Sequence, residues 1–337
     1  MNVTRLKDIK LADHINNDII IKGIISKMEV KQAKNGTSFA DMTMKDRDCE
    51  TNIKWFGFDE TSHGDLQAGK VYEICVTVKP YAAGKDGISL TVSNTAIDKY
   101  KLSNEDISGY FNYEANVDWA LNEVNVLLSK ISTFELYPLV MGLLNDNYDR
   151  FIKGTAANLM HHTGIGGLLV HSASVASLAL EMAEYMNKLY GKDFVNTSMV
   201  ICGALLHDIG KIKELEFNTE TGVSDYTNLS ALQSHILIGI GMVENKACEL
   251  VLQNKDSLNE LVHIIASHHG KLEWGSAITP NTIEAKLVSS ADDIDAYCNR
   301  FHRVFKDLKP GESFTEFKRG EKLTYFRSNM SSIMPDV

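Results

Sequence analysis

Histidine and aspartate residues interrupt several apolar segments in the second half of the chain, where they could bind metal ions. These residues are, in chain order, His171, His207, Asp208, His235, His268, His269 and Asp292. Burying such a group without a partner costs several kcal/mol. A single buried histidine is usually an ordinary core residue, but five such sites on successive helices favour a shared partner. Imidazoles and carboxylates without thiolates suit Mn²⁺, Fe²⁺, Co²⁺, Zn²⁺ or Mg²⁺.

Other residues near this set could contact a substrate. Lys211 lies one helical turn after the histidine of "HDIGK" and could reach a phosphate oxygen, although it could also be a solvated lysine. Glu273 and Trp274 follow the "SHH" segment and could orient or stack on a nucleotide, while a packing role for Trp274 is equally expected. His162 precedes a glycine-rich turn that could approach phosphate.

The segments that carry these residues are predicted to be helices. From about residue 160, apolar residues recur at helical spacing, and His171 shares one stripe with Val175, Leu178 and Met182. Residues 101–160 are predicted to form a connector that becomes helical, because "NVDWALNEVNVLLSKI" has the same spacing.

The first hundred residues are predicted to be β structure. Five segments rich in β-branched or alternating residues are separated by turn signals such as Asn35-Gly36. Five short strands favour a small closed barrel of the OB type, which binds oligonucleotides on one face. Aromatic residues interleaved with lysines could hold a single strand. Phe39 and Trp55 are candidates for stacking, although most of these aromatics are expected in the barrel core.

Composition limits the classes of partner. The chain has 337 residues, which is enough for two domains, and a net charge of −10. Residues 1–100 contain 14 basic and 14 acidic residues, and residues 101–337 contain 20 and 30. Duplex-binding proteins are usually basic, so this balance disfavours a duplex binder.

Neither a signal peptide nor an apolar run of about 20 residues is found, so no membrane partner is expected. The five cysteines form no CxxC pair, which fits a cytoplasmic protein.

These motifs resemble a known family. His171, His207-Asp208 and Asp292 match the H…HD…D order of the HD phosphohydrolase superfamily, which has a helical fold with metal at its centre. The segments "HHTGIGGLLVHS", "GALLHDIGK", "HHGKLEWGS", "TIEAKLVSSADDIDA" and "LKPGESFTEF" further resemble the YhaM-type 3′–5′ exoribonucleases. That family pairs an N-terminal OB domain with a C-terminal HD domain. The resemblance covers nearly the whole chain and is strongest over residues 161–297.

The resemblance implies a multidomain α+β protein. A five-stranded OB-type barrel that binds nucleic acid is expected over residues 1–100, followed by the helical connector. An all-α HD domain is expected over residues 161–310, and a C-terminal tail over 311–337.

The resemblance also implies two divalent metal ions, with Mn²⁺ as the first choice. One ion would be held by His171, His207, Asp208 and Asp292. Asp208 would bridge to a second ion held by His235 and His268. His269 could be a ligand or could support one, and Asp293 and Asp295 are alternatives to Asp292. A hydroxide between the ions would attack phosphorus, with Asp208 and Lys211 as catalytic residues.

The leading hypothesis is an enzyme, a metal-dependent hydrolase that removes nucleotides from the 3′ end of single-stranded RNA or also of DNA. Two alternatives stay open. One is an HD-type phosphohydrolase or phosphodiesterase that acts on small nucleotides, which substrate length would separate from a nuclease. The other is a nucleic-acid-binding accessory protein with an inactive HD centre, against which the intact set of ligand residues argues. No feature of the sequence sets an oligomeric state.

Overall fold

The computed structural model describes residues 3–33, 36–46, 49–64, 66–81, 87–111, 113–157, 162–218, 223–306, 308, 312–315 and 324–327. The chain divides into two compact units. The first contains Met1–Tyr113 and Phe217–Asp225, and the second contains Glu114–Glu216 and Tyr226–Val337. The predicted succession of a β-barrel and a helical region is confirmed.

The first unit is a β-barrel. Its strands are β1 (Val3–Thr4), β2 (Asp18–Gln32), β3 (Ser38–Lys45), β4 (Glu50–Phe56), β5 (Val71–Pro80), β6 (Ile88–Val92) and β7 (Tyr100–Ser103). Short helical segments are found at Leu6–Asp8, α1 (Leu11–His14), α2 (Glu60–His63) and Ile107–Tyr110. Five strands close in the order β2-β3-β4-β6-β5, because the long strand β2 pairs with both β3 and β5. This five-stranded closed barrel is of the OB type.

The predicted turn between β2 and β3 is present as a hairpin. Ala33 donates its backbone N–H to the carbonyl oxygen of Thr37 at 2.9 Å. Gly36 has a φ of 81°, a left-handed conformation that favours glycine. Asn35, the other residue of the predicted turn, lies outside the described residues.

Strand alternation separates the aromatic residues of the barrel into two groups. Trp55 is 1% exposed and packs in the core, so it is not available for stacking on a base as the sequence suggested. The next residue, Phe56, is 51% exposed. It lies opposite Phe39 on the neighbouring strand, and the two ring centroids are 5.6 Å apart. Of the two predicted stacking candidates, Phe39 thus lies beside the exposed Phe56 and Trp55 lies in the core.

The second unit is mainly helical. Its helices are α3 (Val117–Lys130), α4 (Tyr137–Asp146), α5 (Tyr148–Lys153), α6 (Gly167–Tyr190), α7 (Thr197–Leu206), α8 (Lys211–Glu214), α9 (His235–Glu249), α10 (Lys255–Ser267) and α11 (Ile283–Lys306). A 3-10 turn is found at Leu272–Trp274. Strands β8 (Leu215–Asn218) and β9 (Val223–Tyr226) form a two-stranded sheet between α8 and α9 in the chain, and Phe217–Asp225 belongs to the first unit. Helix α7 is apolar on all sides and packs against α6, α10 and α11, which is typical of a central helix.

Residues 101–160, predicted as one connector, divide between the two units. Strand β7 pairs with β5 of the barrel. Helices α3 to α5 instead join the core of the second unit, where α3 packs against α6. The physical reason is that the apolar stripe of α3, which includes Val124 and Leu127, must be covered by another helix.

The predicted C-terminal tail lies mostly outside the described residues. Within it, Phe314 and Phe326 form an isolated antiparallel bridge. Among the helices that the structure describes, none combines the length and the apolar character that crossing a membrane requires.

Candidate metal centre

Five helices bring the predicted metal ligands together in the second unit. His171 lies in α6, His207 and Asp208 follow α7, His235 begins α9, His268 and His269 follow α10, and Asp292 lies in α11. Gly210 permits part of this convergence. A Cβ atom at Gly210 would lie 2.0 Å from the carbonyl oxygen of His235, so only glycine allows α9 to approach this closely.

Asp208 lies between two groups of imidazoles. Its Oδ2 atom is 3.4 Å from Nε2 of His171 and 3.4 Å from Nε2 of His207. Its Oδ1 atom is 3.5 Å from Nε2 of His235 and 3.6 Å from Nε2 of His268. The two oxygens of one carboxylate therefore face different groups of nitrogen atoms.

Each group contains three potential ligands besides Asp208. The first group, which we call site A, consists of His171, His207 and Asp292; the second, site B, consists of His235, His268 and His269. In site A, Nε2 of His171 lies 3.2 Å from Oδ1 of Asp292. Asp292, rather than Asp293 or Asp295, thus lies beside the Nε2 atoms of site A.

In each of the five histidines of the two sites, Nδ1 forms a hydrogen bond to an oxygen atom. The acceptors are Asp295 for His171 (2.7 Å), the Ala204 carbonyl for His207 (2.7 Å), Glu214 for His235 (3.1 Å), the Ile265 carbonyl for His268 (2.8 Å) and the Trp274 carbonyl for His269 (2.9 Å). Carbonyl oxygens only accept hydrogen bonds, and ionised carboxylates do the same, so each Nδ1 carries a proton. In the neutral ring, Nε2 then has a free lone pair, which is the arrangement of a metal-binding histidine.

The residues of both sites fit divalent metal ions. Nε2 of His171 and Nε2 of His207 lie only 3.2 Å apart, so two lone pairs would face each other without a cation between them or a proton on one ring. Four buried side-chain atoms of the described residues also have no hydrogen-bond partner, and three of them are ligand atoms, namely Oδ1 of Asp208, Nε2 of His235 and Nε2 of His268; the fourth is Oγ of Ser172. Orphaned buried polar atoms are costly, and an ion coordinated by them would remove that cost.

His171 and Asp208 shift each other's pKa in opposite directions. Burial alone would lower the pKa of His171, but Asp208, Asp292 and Asp295 raise it well above its ordinary value. Burial alone would raise the pKa of Asp208, but Lys211, His207 and His171 hold it well below its ordinary value. In the metal-free protein a proton on His171 and the Lys211 ammonium therefore balance the aspartates, and metal ions would take over that function.

The histidines of site B behave differently. Burial lowers the pKa of His268, and burial together with the neighbouring His268 lowers the pKa of His269. Both imidazoles are therefore neutral at pH 7 and ready to act as ligands. The geometry groups His269 with His235 and His268 rather than leaving it apart.

His162 lies behind His171, away from the ligand atoms. It is 5% exposed, and its Nε2 atom donates to Asp295 at 3.0 Å. Asn299 holds both the backbone N–H and the ring of His162. The sequence suggested that His162 could contact substrate; the structure instead makes it a buried partner of Asp295. His161 lies outside the described residues.

A cavity of about 430 Å³ opens beside the metal ligands. Lys211 and Trp274, two of the residues suggested for substrate contact, line it together with Tyr297 and Arg300 of α11. Nζ of Lys211 lies 2.5 Å from Oδ2 of Asp208. Trp274 is 49% exposed, and the ammonium group of Lys271 lies 4.0 Å from the centre of its ring. Glu273 is exposed and is not part of the cavity lining, so its predicted substrate contact has no support in this geometry.

Sequence reasoning missed several residues of this region. Glu214 and the supporting position of Asp295 were not foreseen, nor were Tyr297 and Arg300. One signal was present for Asp295, because it follows Asp292 by three positions and such residues share a helix face. No local signal marks Glu214, whose partner His235 is 21 residues away.

Comparisons with known proteins agree with these features. Residues 168–297 match the HD domain family. The chain is 28% identical to the 3′-5′ exoribonuclease YhaM of Listeria monocytogenes over 91% of this chain and 93% of that protein. It is 26% identical to the 3′-5′ exoribonuclease YhaM of Halalkalibacterium halodurans over 88% of this chain and 89% of that protein. Among solved structures, the chain is similar to the OB domain of Ta0387 from Thermoplasma acidophilum. The match covers 32% of this chain and 92% of that domain's chain, with 18% identity and a TM-score of 0.25. The resemblance carried by the motifs is thereby confirmed: residues 168–297 match the HD domain family, and the chain is similar over nearly its whole length to the YhaM 3′–5′ exoribonucleases.

Proposed function

We propose that this protein is a divalent-metal-dependent 3′–5′ exonuclease that shortens single-stranded RNA. The observation that carries the proposal is the position of Asp208 between two groups of ligand nitrogens, directly beside an open cavity. The names of the relatives support the reaction and its direction. The similarity covers both units, which favours a polymer substrate over a free nucleotide.

Two metal ions would be held by the residues described above. Site A with Oδ2 of Asp208 would bind one ion, and site B with Oδ1 of Asp208 would bind the other. Mn²⁺ is the first choice, and Co²⁺, Fe²⁺, Zn²⁺ and Mg²⁺ suit the same donor set. Bound divalent ions would supply an activated water at neutral pH and positive charge beside the phosphate.

The cavity residues of this chain would bind and orient the terminal nucleotide. Trp274 and Tyr297 are half exposed, and each can present a ring face to a base. Lys211 and Arg300 also line the cavity and are the basic residues of its lining. Cations beside aromatic rings complement a nucleotide, which carries a flat base and an anionic phosphate.

The barrel would hold the strand upstream of the cleaved end. The half-buried Phe39 and the exposed Phe56 form an aromatic pair on its outer face, and Lys31 of β2 pairs in register with Phe39. Lys54 lies on the same face of β4. Aromatic stacking with nearby cations holds single strands without sequence preference, so DNA could also bind.

The test uses purified protein, Mn²⁺ and a 5′-labelled single-stranded RNA, with Asp208→Ala as the inactive comparison. A ladder that shortens from the 3′ end and disappears in the variant is the expected result. The same assay is run with a DNA strand and with free nucleotides. Hydrolysis of free nucleotides without polymer cleavage would replace the proposal with a small-nucleotide phosphohydrolase. Binding of RNA without turnover under each divalent metal would favour an accessory protein.

A further inference from the structure

Sites A and B each contain one histidine that is backed by a carboxylate. Nδ1 of His171 in site A donates to Asp295 at 2.7 Å, and Nδ1 of His235 in site B faces Glu214 at 3.1 Å. The other three histidines are backed by main-chain carbonyl groups. A carboxylate carries a full negative charge, so it orients the imidazole ring more strongly than a carbonyl group does. It also makes the Nε2 atom of that ring more basic and therefore a better metal ligand.

Asp295 is held in place for this contact from several sides. It is 8% exposed, and its Oδ2 atom also accepts a hydrogen bond from Nε2 of His162 at 3.0 Å. Its Oδ1 atom accepts from the hydroxyl group of Ser174. Both oxygens thus contact groups other than the Nε2 atoms of His171 and His207, so Asp295 supports His171 rather than competing with Asp292 as a ligand.

Glu214 supports site B in a comparable way. It ends the short helix α8, which begins three residues after Asp208. Its Oε1 atom accepts the backbone N–H of His235 at 2.9 Å, and its Oε2 atom faces Nδ1 of the same residue. One carboxylate therefore anchors both the start of α9 and the ring of its first residue.

We propose that Asp295 and Glu214 are positioning residues that act separately, Asp295 on the metal ion of site A and Glu214 on the metal ion of site B. This inference rests on the two-metal centre of the proposed function. Each carboxylate fixes the ring orientation and the protonated Nδ1 of its histidine, so that Nε2 points to the ion. Removal of such a support typically lowers metal affinity by about 10–100-fold.

Mn²⁺ titration with detection of free Mn²⁺ by electron paramagnetic resonance tests this directly. The proteins compared are the wild type, Asp295→Asn, Glu214→Gln and the charge-matched control Glu216→Gln, which changes an exposed residue of β8. We expect two tightly bound ions in the wild type and in the control. Each of the other two variants should retain one tight ion and bind the second about 10–100-fold more weakly.

Combination with ligand variants identifies the ion affected. In a His207→Ala background, where site A has lost a ligand, Glu214→Gln should weaken the remaining ion and Asp295→Asn should leave it unchanged. A His269→Ala background should give the reverse. The proposal is overturned if both carboxylate variants weaken the same ion, or if neither changes any affinity.

Two controls keep the result interpretable. If circular dichroism shows that Asp295→Asn does not fold, the Glu214→Gln arms in the two backgrounds decide the proposal alone, because Glu214 lies nearer the surface. Wild-type protein that binds two Mn²⁺ ions but degrades no RNA would overturn the proposed function only, since this experiment measures metal binding and not cleavage.

Discussion

The barrel and the helical unit place polar groups in opposite ways. In the barrel, alternate residues of β3 and β4 point inward and are apolar, and the most informative residue is an exposed aromatic, Phe56. In the helical unit, ionisable groups are buried at the centre, where His207 is 0% and Asp208 is 1% exposed. An exposed apolar side chain is thus the informative signal in the barrel, and a buried ionisable side chain is the informative signal in the helical unit.

The largest expected effect separates the two units by function. Asp208→Ala removes the carboxylate that faces both sites and should lower RNA cleavage by about 10³-fold or more, since removal of even one group that stabilises transition-state charge costs about 10²–10³-fold. RNA binding should persist, because the barrel is unchanged. Gel-based cleavage and fluorescence anisotropy measure the two properties, with Asp149→Ala, an exposed residue of α5, as the control. Equal loss of binding and cleavage would contradict this division.

The second effect distinguishes the inner and outer faces of the barrel. Trp55→Ala removes a fully buried side chain and should lower the free energy of unfolding by about 3–5 kcal/mol. The neighbouring Phe56→Ala should change it by only about 1 kcal/mol or less, because that ring is half exposed and loses only its cross-strand contact with Phe39. Urea denaturation followed by circular dichroism compares the two variants. A similar loss of stability in both would show that the assignment of the two faces is wrong.

The third effect concerns the outer face alone. Phe56→Ala should weaken binding of single-stranded RNA by about 1–3 kcal/mol, the usual contribution of one stacked base. Anisotropy titrations are made in the Asp208→Ala background, so that the RNA stays intact. Tyr148→Ala provides the matched control, because Tyr148 is a similarly exposed aromatic residue of the helical unit. An equal loss of RNA affinity in this control would contradict a specific role of Phe56 in RNA binding.

The smallest expected effect comes from the charge at the metal centre. The raised pKa of His171 means that its ring is protonated at pH 7 in the metal-free protein, so an ion must displace that proton. Mn²⁺ affinity at site A should therefore rise with pH, by up to about tenfold per pH unit for each proton released. Calorimetry in two buffers of different ionisation enthalpy counts the protons. Binding without proton release at pH 7 would contradict the protonated state of His171.

Much of the fold could be predicted because local sequence patterns encode it. Period-two alternation predicted the barrel strands, and helical spacing predicted the long helices around His171 and Asp292. The residue types of the metal centre were equally visible, since a histidine or aspartate beside an apolar run requires a partner. Neither the division of residues 101–160 nor the contact of Glu214 with His235 has such a local signal, because both depend on which elements pack together.

The sequence by itself determined which residues could bind metal and that Trp55 and Phe56, as neighbours on a strand, face opposite sides of the barrel. Only the tertiary structure decided which of the two faces the core, because alternation specifies parity but not which side is covered. It also decided that Asp292 lies beside the Nε2 atoms while Asp295 holds His171 from behind, since His171 and Asp295 are 124 residues apart in the chain. Residue types and their spacing indicate which chemistry a site can perform. Which side chain is a ligand and which is a support depends on how distant segments pack together.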